Sequence, residues 1–146
     1  LNMQRTSRRG RYQCGNANLF WGQSSLDKFI VAYNQISSKN TGYEALKSKG
    51  YRNAIEALVA ARAIAKHGDT LTVTCSLEQA FKNIGETETI RFVQKQMEEN
   101  PEIKGDDLGI LLEKQFARKK WKSATHRRYG NALIMWVKYL NNTTKI

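Results

Sequence analysis

Apolar residues recur at helical spacing through most of the chain. After Ser25, a side chain suited to an N-cap, Leu26, Phe29, Ile30 and Tyr33 fall at i, i+3, i+4 and i+7, which predicts an amphipathic helix. A short helix around Tyr43 to Lys47 follows, stopped by Gly50. The Ala-rich stretch YRNAIEALVAARAIAKHG predicts the longest helix of the first half. Its stripe is Tyr51, Ile55, Leu58, Ala61 and Ala65, with Gly68 as C-cap and His67 at the helix end, where a cationic side chain suits the dipole. In DTLTVTC the period drops to two, with Leu71, Val73 and Cys75 on one face and Thr70, Thr72 and Thr74 on the other, so a strand is expected. Beyond it, Ser76 and Gln79 stand at capping-box spacing at the start of SLEQAFKNIG. Ile90, Val93 and Met97 share one face of a helix that ends before Pro101. Asp106 or Asp107 is placed to cap LGILLEKQF, with Leu108, Leu111, Leu112 and Phe116 inward, and Ser123 to cap the last helix.

The predicted order is three helices, a short strand and four more helices, a mainly α class with a short β wing. Three helices followed by a β-ribbon is the order of a winged helix-turn-helix. The ribbon's second strand is expected from the Thr41 region or from the leader. The expected division is a basic, aperiodic arm over 1–23, a first winged-helix-like subdomain over 24–75, and a second helix-turn-helix subdomain over 76–146. Leu19, Phe20 and Trp21 at the end of the arm are apolar enough to dock on the core.

Charge changes this picture more than composition does. The 146 residues carry a formal net charge of +11, unevenly spread. Residues 1–26 hold four arginines (Arg5, Arg8, Arg9, Arg11) and no acid. Residues 27–113 hold all 13 acids against 11 bases, and residues 114–146 hold nine bases and no acid. Such segregation gives a polyanion-binding protein affinity and faster encounter. Cys14 and Cys75 are the only cysteines and no metal-ligand spacing exists, so zinc is not expected; neither is any other cofactor. Reduced thiols, the lack of an apolar run of roughly 18 residues and the basic start point to an intracellular protein, in cytoplasm or nucleoid, with no membrane partner. The opening residues read as those of a fragment of a longer protein.

The last helix divides its faces sharply. At 100° per residue, Tyr129, Ala132, Leu133, Trp136, Val137 and Leu140 fall in one apolar arc, and Arg127, Asn131, Ile134 and Lys138 lie opposite, with His126 and Arg128 on the flanks. Arg reads guanine and Asn reads adenine in a bidentate manner, so the polar face suits a major groove. The preceding ARKKWKS turn carries Arg118, Lys119, Lys120 and Lys122 where backbone phosphate would run. Arg8, Arg9 and Arg11 of the leader suit an adjacent minor groove. Trp121, Trp136 and Tyr139, at near-helical spacing, are assigned to the core rather than to base stacking.

KSATHRRYGNALIMWVKYL, through Ser123, Thr125, Arg127, Arg128, Leu133, Trp136 and Leu140, resembles the recognition half of the winged-helix modules found in tandem in DNA-recognition parts of restriction and other defence proteins. The resemblance is close over about 20 residues and loose over 70–140. It implies DNA contact by Ser123, Thr125, Arg127 and Arg128, and a companion winged helix over 24–75. The expected function is therefore a double-stranded DNA-binding, sequence-recognising module of a larger protein, with helix 123–140 in the major groove. His126 and Lys138 are counted among its contacts.

No GxSxG, HExxH or Walker loop is present. Glu44 and Lys47 have ordinary i, i+3 helix spacing, and the acids Glu98, Glu99, Glu102, Asp106 and Asp107 suit helix ends and a solvated connection. The chain is not expected to be an enzyme; catalysis would reside elsewhere in the parent protein, and a catalytic domain in the same polypeptide would be its neighbour. Two rival readings stay open: a helical interaction or assembly domain whose basic face meets an acidic partner, and an RNA-binding domain.

Overall fold

In a computed structural model, residues 19–144 are described. The Arg8, Arg9 and Arg11 contacts expected of the leader, and Cys14, lie outside them. The described chain is mainly helical: α1 (Leu26–Lys39), α2 (Tyr43–Ser48), α3 (Arg52–Ala60), strands β1 (Ile64–His67) and β2 (Thr70–Val73), α4 (Leu77–Gly85), α5 (Glu88–Glu99), α6 (Gly105–Phe116) and α7 (Ser123–Thr144).

Local chemistry accounts for most boundaries. Ser25 caps α1 by accepting from the Lys28 N–H, and Ser76 caps α4 by accepting from the Gln79 N–H, as their spacing predicts. The Ala-rich stretch behaves differently from the expectation. Its helix stops at Ala60; Arg62 turns the chain with φ 58°, and Ile64–His67 becomes a second strand. β1 pairs antiparallel with β2 in the register Ile64↔Val73 to His67↔Thr70. The two-residue turn between them is Gly68-Asp69, and Gly68 has φ +62°, a conformation that glycine adopts without steric cost. Gly68 is thus a hairpin residue and not a C-cap, and His67 ends a strand. The partner strand is thus Ile64–His67 and not the Thr41 region. That region instead leans on the hairpin turn: the Tyr43 N–H donates to the Asp69 carbonyl at 2.9 Å and the Glu44 N–H to Asp69 Oδ1 at 2.7 Å, so the turn caps α2.

Two expected caps in the second half also differ. α6 starts one residue before Asp106, with Lys104 as N-cap, and both aspartates lie in its first turn. The Lys122 carbonyl accepts from the Thr125 and His126 N–H groups, so Lys122 occupies the cap position of α7 and Ser123 its first turn.

One buried cluster draws on α1–α7 and both strands. Trp136 is central to it. Its ring meets Phe20 at 5.1 Å and Phe29 at 5.2 Å in edge-on contacts, and its Nε1–H donates to the Ser24 carbonyl at 3.1 Å. Phe20 is fully buried, and its N–H and carbonyl both bond Thr89 Oγ1, at 2.8 and 2.6 Å. The end of the leader therefore docks, as its apolar residues predict. Trp121 and Tyr139 pack against the same cluster.

Candidate nucleic-acid interface

α6 and α7 run antiparallel and unusually close. Their approach rests on glycine. A Cβ on Gly109 would lie 2.5 Å from His126 Cα, and one on Gly130 would lie 2.9 Å from Gly105 Cα, far inside normal carbon contact. Gly105 meets Gly130 and Asn131 while Gly109 meets His126, so one helix climbs as the other descends. The two helices form an antiparallel pair joined by the basic turn. α6 thus covers part of the α7 face that the helical wheel leaves free.

The expected contact residues are distributed accordingly. Arg127 is exposed, but its Nε donates to Asp106 Oδ1 at 3.0 Å. Asn131 is exposed at the α6 edge, with its carboxamide against Gly105. His126 is mostly buried, and its Nε2 lies 2.7 Å from Glu113 Oε1. It ties the two helices together and is not available to phosphate. Glu113 also accepts from the Trp121 N–H at 2.6 Å. The His126 hydrogen bond first, then that of Trp121, holds the Glu113 carboxyl below its ordinary range. This carboxylate fixes the end of the basic turn, leaving Arg118, Lys119, Lys120 and Lys122 exposed together beside exposed Ser123 and half-buried Thr125. Lys138 is exposed, but just over three helical turns from Arg127.

Arg128 faces a different neighbour from Arg127. At 100° around the helix, its guanidinium lies over the Tyr129 ring, 5.1 Å from the centroid. It lines a cleft of about 370 Å³ with Trp21, Gln23, Arg52, Asn53, Glu56 and Tyr129. Arg52, Asn53 and Glu56 come from the first turns of α3, so two helices far apart in sequence put arginines on one groove. α3 starts without a side-chain cap, and its N–H bonding begins with Ile55 to the Tyr51 carbonyl. Among the described residues, the amides of Arg52 and Asn53 thus have no backbone or cap partner.

Sequence reasoning missed Arg52 and Asn53 as site residues. Two signals were available. IAKH-GD-TLTV is two short runs around a Gly-Asp turn, a hairpin pattern that ends the preceding helix before Ile64. Residues 26–75 also carry seven Lys or Arg against four Asp or Glu, whereas 76–113 carry four against nine. The balanced middle section thus divides into a basic stretch over 26–75 and an acidic one over 76–113.

Among the described residues no helix is long and apolar enough to cross a membrane, and no group of three His, Cys, Asp or Glu side chains is placed to hold a metal ion. No protein-family model, curated protein or solved structure matches the chain.

Proposed function

We propose that this chain is a double-stranded DNA-binding module in which α3, rather than α7, supplies the principal base contacts. The observation that carries the reading is the convergence of Arg52 and Asn53 on α3 with Arg128 on α7, in one groove beside a helix–helix–helix–hairpin unit. Recognition helices address base edges from their N-terminal residues. Arg52 and Asn53 hold that position on α3 and have the donor patterns for guanine and adenine. Exposed Val59, two turns on, suits a thymine methyl. Lys66 and His67 at the tip of β1 suit the phosphates flanking the groove.

The basic turn and α7 then act as a second grip. Arg118, Lys119, Lys120 and Lys122 meet phosphate, and Ser123 and Thr125 lie next to them. Arg127 and Asn131 border this surface through their α6 contacts and orient it more than they read bases. A winged unit held against an αα-hairpin by one core suits a recognition part of a larger restriction or defence protein, with catalysis supplied by another domain.

A fluorescein-labelled random-sequence duplex, titrated by anisotropy at several salt concentrations, tests the reading. The expected result is binding whose logarithmic salt slope is about −0.9 per neutralised phosphate. Selection from a random duplex library then reports sequence preference, which Arg52→Ala is expected to relax and Arg127→Ala to leave in place. No binding at about 50 mM salt defeats the DNA reading and favours an acidic protein partner. Stronger binding to hairpin RNA favours the RNA-binding alternative.

A further inference from the structure

The cleft between α3 and α7 has a lining that phosphate contact alone does not explain. A simple anion site gathers cations and excludes acids. Here Arg52 and Arg128 share the walls with the Glu56 carboxylate, which lies 4.0 Å from Arg52 Nε. Two carboxamides, Gln23 and Asn53, can each donate and accept. Two aromatic side chains, Trp21 and Tyr129, lie 5.1 Å apart between ring centroids and complete the lining. Among the described residues, Gln23 Oε1 is a buried side-chain oxygen with no hydrogen-bond partner. Arg128 makes no ion pair among the described residues, its guanidinium resting over Tyr129.

Each of these groups has a counterpart in one chemical unit. A nucleotide offers a phosphate to the guanidinia, a π-face to the aromatic rings, and amino N–H donors to the carboxylate and the Gln23 oxygen. The volume of about 370 Å³ is at the small end of ligand sites, a size for one such unit and not for a folded peptide. We infer that this cleft binds a single unstacked nucleotide, its phosphate between Arg52 and Arg128 and its base against Trp21 and Tyr129, with Gln23, Asn53 and Glu56 at the base edge. The inference rests on the DNA-binding reading: where a strand along α3 carries an extrahelical nucleotide, Arg52 and Asn53 take its phosphate and base edge in place of a paired base. A free nucleoside monophosphate presents the same chemistry.

Paired duplexes, the same duplexes carrying one bulged nucleotide, and deoxynucleoside monophosphates alone separate these cases. Duplex affinity is read by anisotropy and monophosphate binding by tryptophan emission, since Trp21 lines the cleft. Base–aromatic stacking predicts about tenfold tighter binding of the bulged duplex. Gln23→Leu keeps the volume and removes the edge contact; it is expected to lose most of this preference and leave paired-duplex affinity unchanged. Bulge preference without a response to monophosphates identifies a strand-borne nucleotide. A response to monophosphates without duplex binding supports the cleft as a free-nucleotide site and defeats the DNA reading. Equal affinity for bulged and paired duplexes, with no response to monophosphates, overturns the inference and leaves DNA binding standing. If nothing binds, both fall. A Gln23→Leu protein with its bulge preference intact also overturns the assignment.

Discussion

Replacing Gly109 with alanine tests whether the two glycine-lined helices are as close as described. In a free helix this change helps, because alanine has the better helix propensity by about 1 kcal/mol. Here the added Cβ would sit 2.5 Å from His126 Cα and nearer still to the His126 carbonyl. Carbon atoms in contact need roughly 3.5 Å, so α7 must retreat by on the order of 1 Å. The obstacle is backbone on a long helix, so no side-chain rotation relieves it. The retreat also stretches the 2.7 Å His126–Glu113 contact and loosens Leu108 and Leu112 against the core. Overpacking of this kind costs about 1–3 kcal/mol and at times more, and it must first overcome the propensity gain. A net loss of about 1–2 kcal/mol corresponds to roughly 3–7 °C in Tm for a domain of this size. Circular dichroism melts against wild type measure it, with urea unfolding to confirm that the m-value is unchanged. Gly85→Ala is the control: Gly85 is in α4 with open space around a new Cβ, so it should melt at or slightly above wild type. If Gly109→Ala melts with Gly85→Ala, the α6–α7 approach described here is wrong.

Three further outcomes are expected. Glu113 has a folded pKa below its ordinary value, so the unfolded chain binds more protons as pH falls. Its contribution is complete above the unfolded carboxyl pKa of about 4.3 and is lost as pH falls through the depressed folded value. Urea midpoints against pH should fall less steeply on the acid side in Glu113→Gln, and parallel curves would count against the Glu113–His126 tie. Thr89→Val strands the buried N–H and carbonyl of Phe20, which should cost about 1–3 kcal/mol in urea unfolding; an unchanged midpoint would mean that the Phe20 segment is not held there. Lys119→Ala with Lys120→Ala should weaken binding to all duplexes alike and flatten the logarithmic salt slope by about 0.9 per lysine, whereas Arg52→Ala should cost about 1–3 kcal/mol chiefly on preferred sequences.

Local patterning determined a large share of this protein. Ser25 and Ser76 cap the helices their spacing announces, Thr70–Val73 is the strand its alternation announces, and the apolar arc of the last helix holds the core through Leu133, Trp136 and Val137. These features depend on neighbours within a few residues, which a sequence displays directly. The turn at Arg62 does not. Alanines favour continuing the helix, and the hairpin prevails through distant contacts: Ile64 and Leu71 are buried in the common core, and the Thr74 N–H bonds the Ala63 carbonyl. Arg127, Asn131 and Lys138 are exposed as the helical wheel predicts, but their neighbours are hidden from it for a related reason. A helical wheel separates apolar from polar arcs, but it cannot show that Gly105, Gly109 and Gly130 let a second backbone lie against the polar arc. Nor can it show that Arg128 turns toward Arg52, 76 positions away in sequence. Sequence alone thus determined the helices, the strand and the charge of the two ends. Tertiary packing decided which charges are committed to the fold and which stand together on one groove, because those pairings depend on distances between elements that no local period encodes.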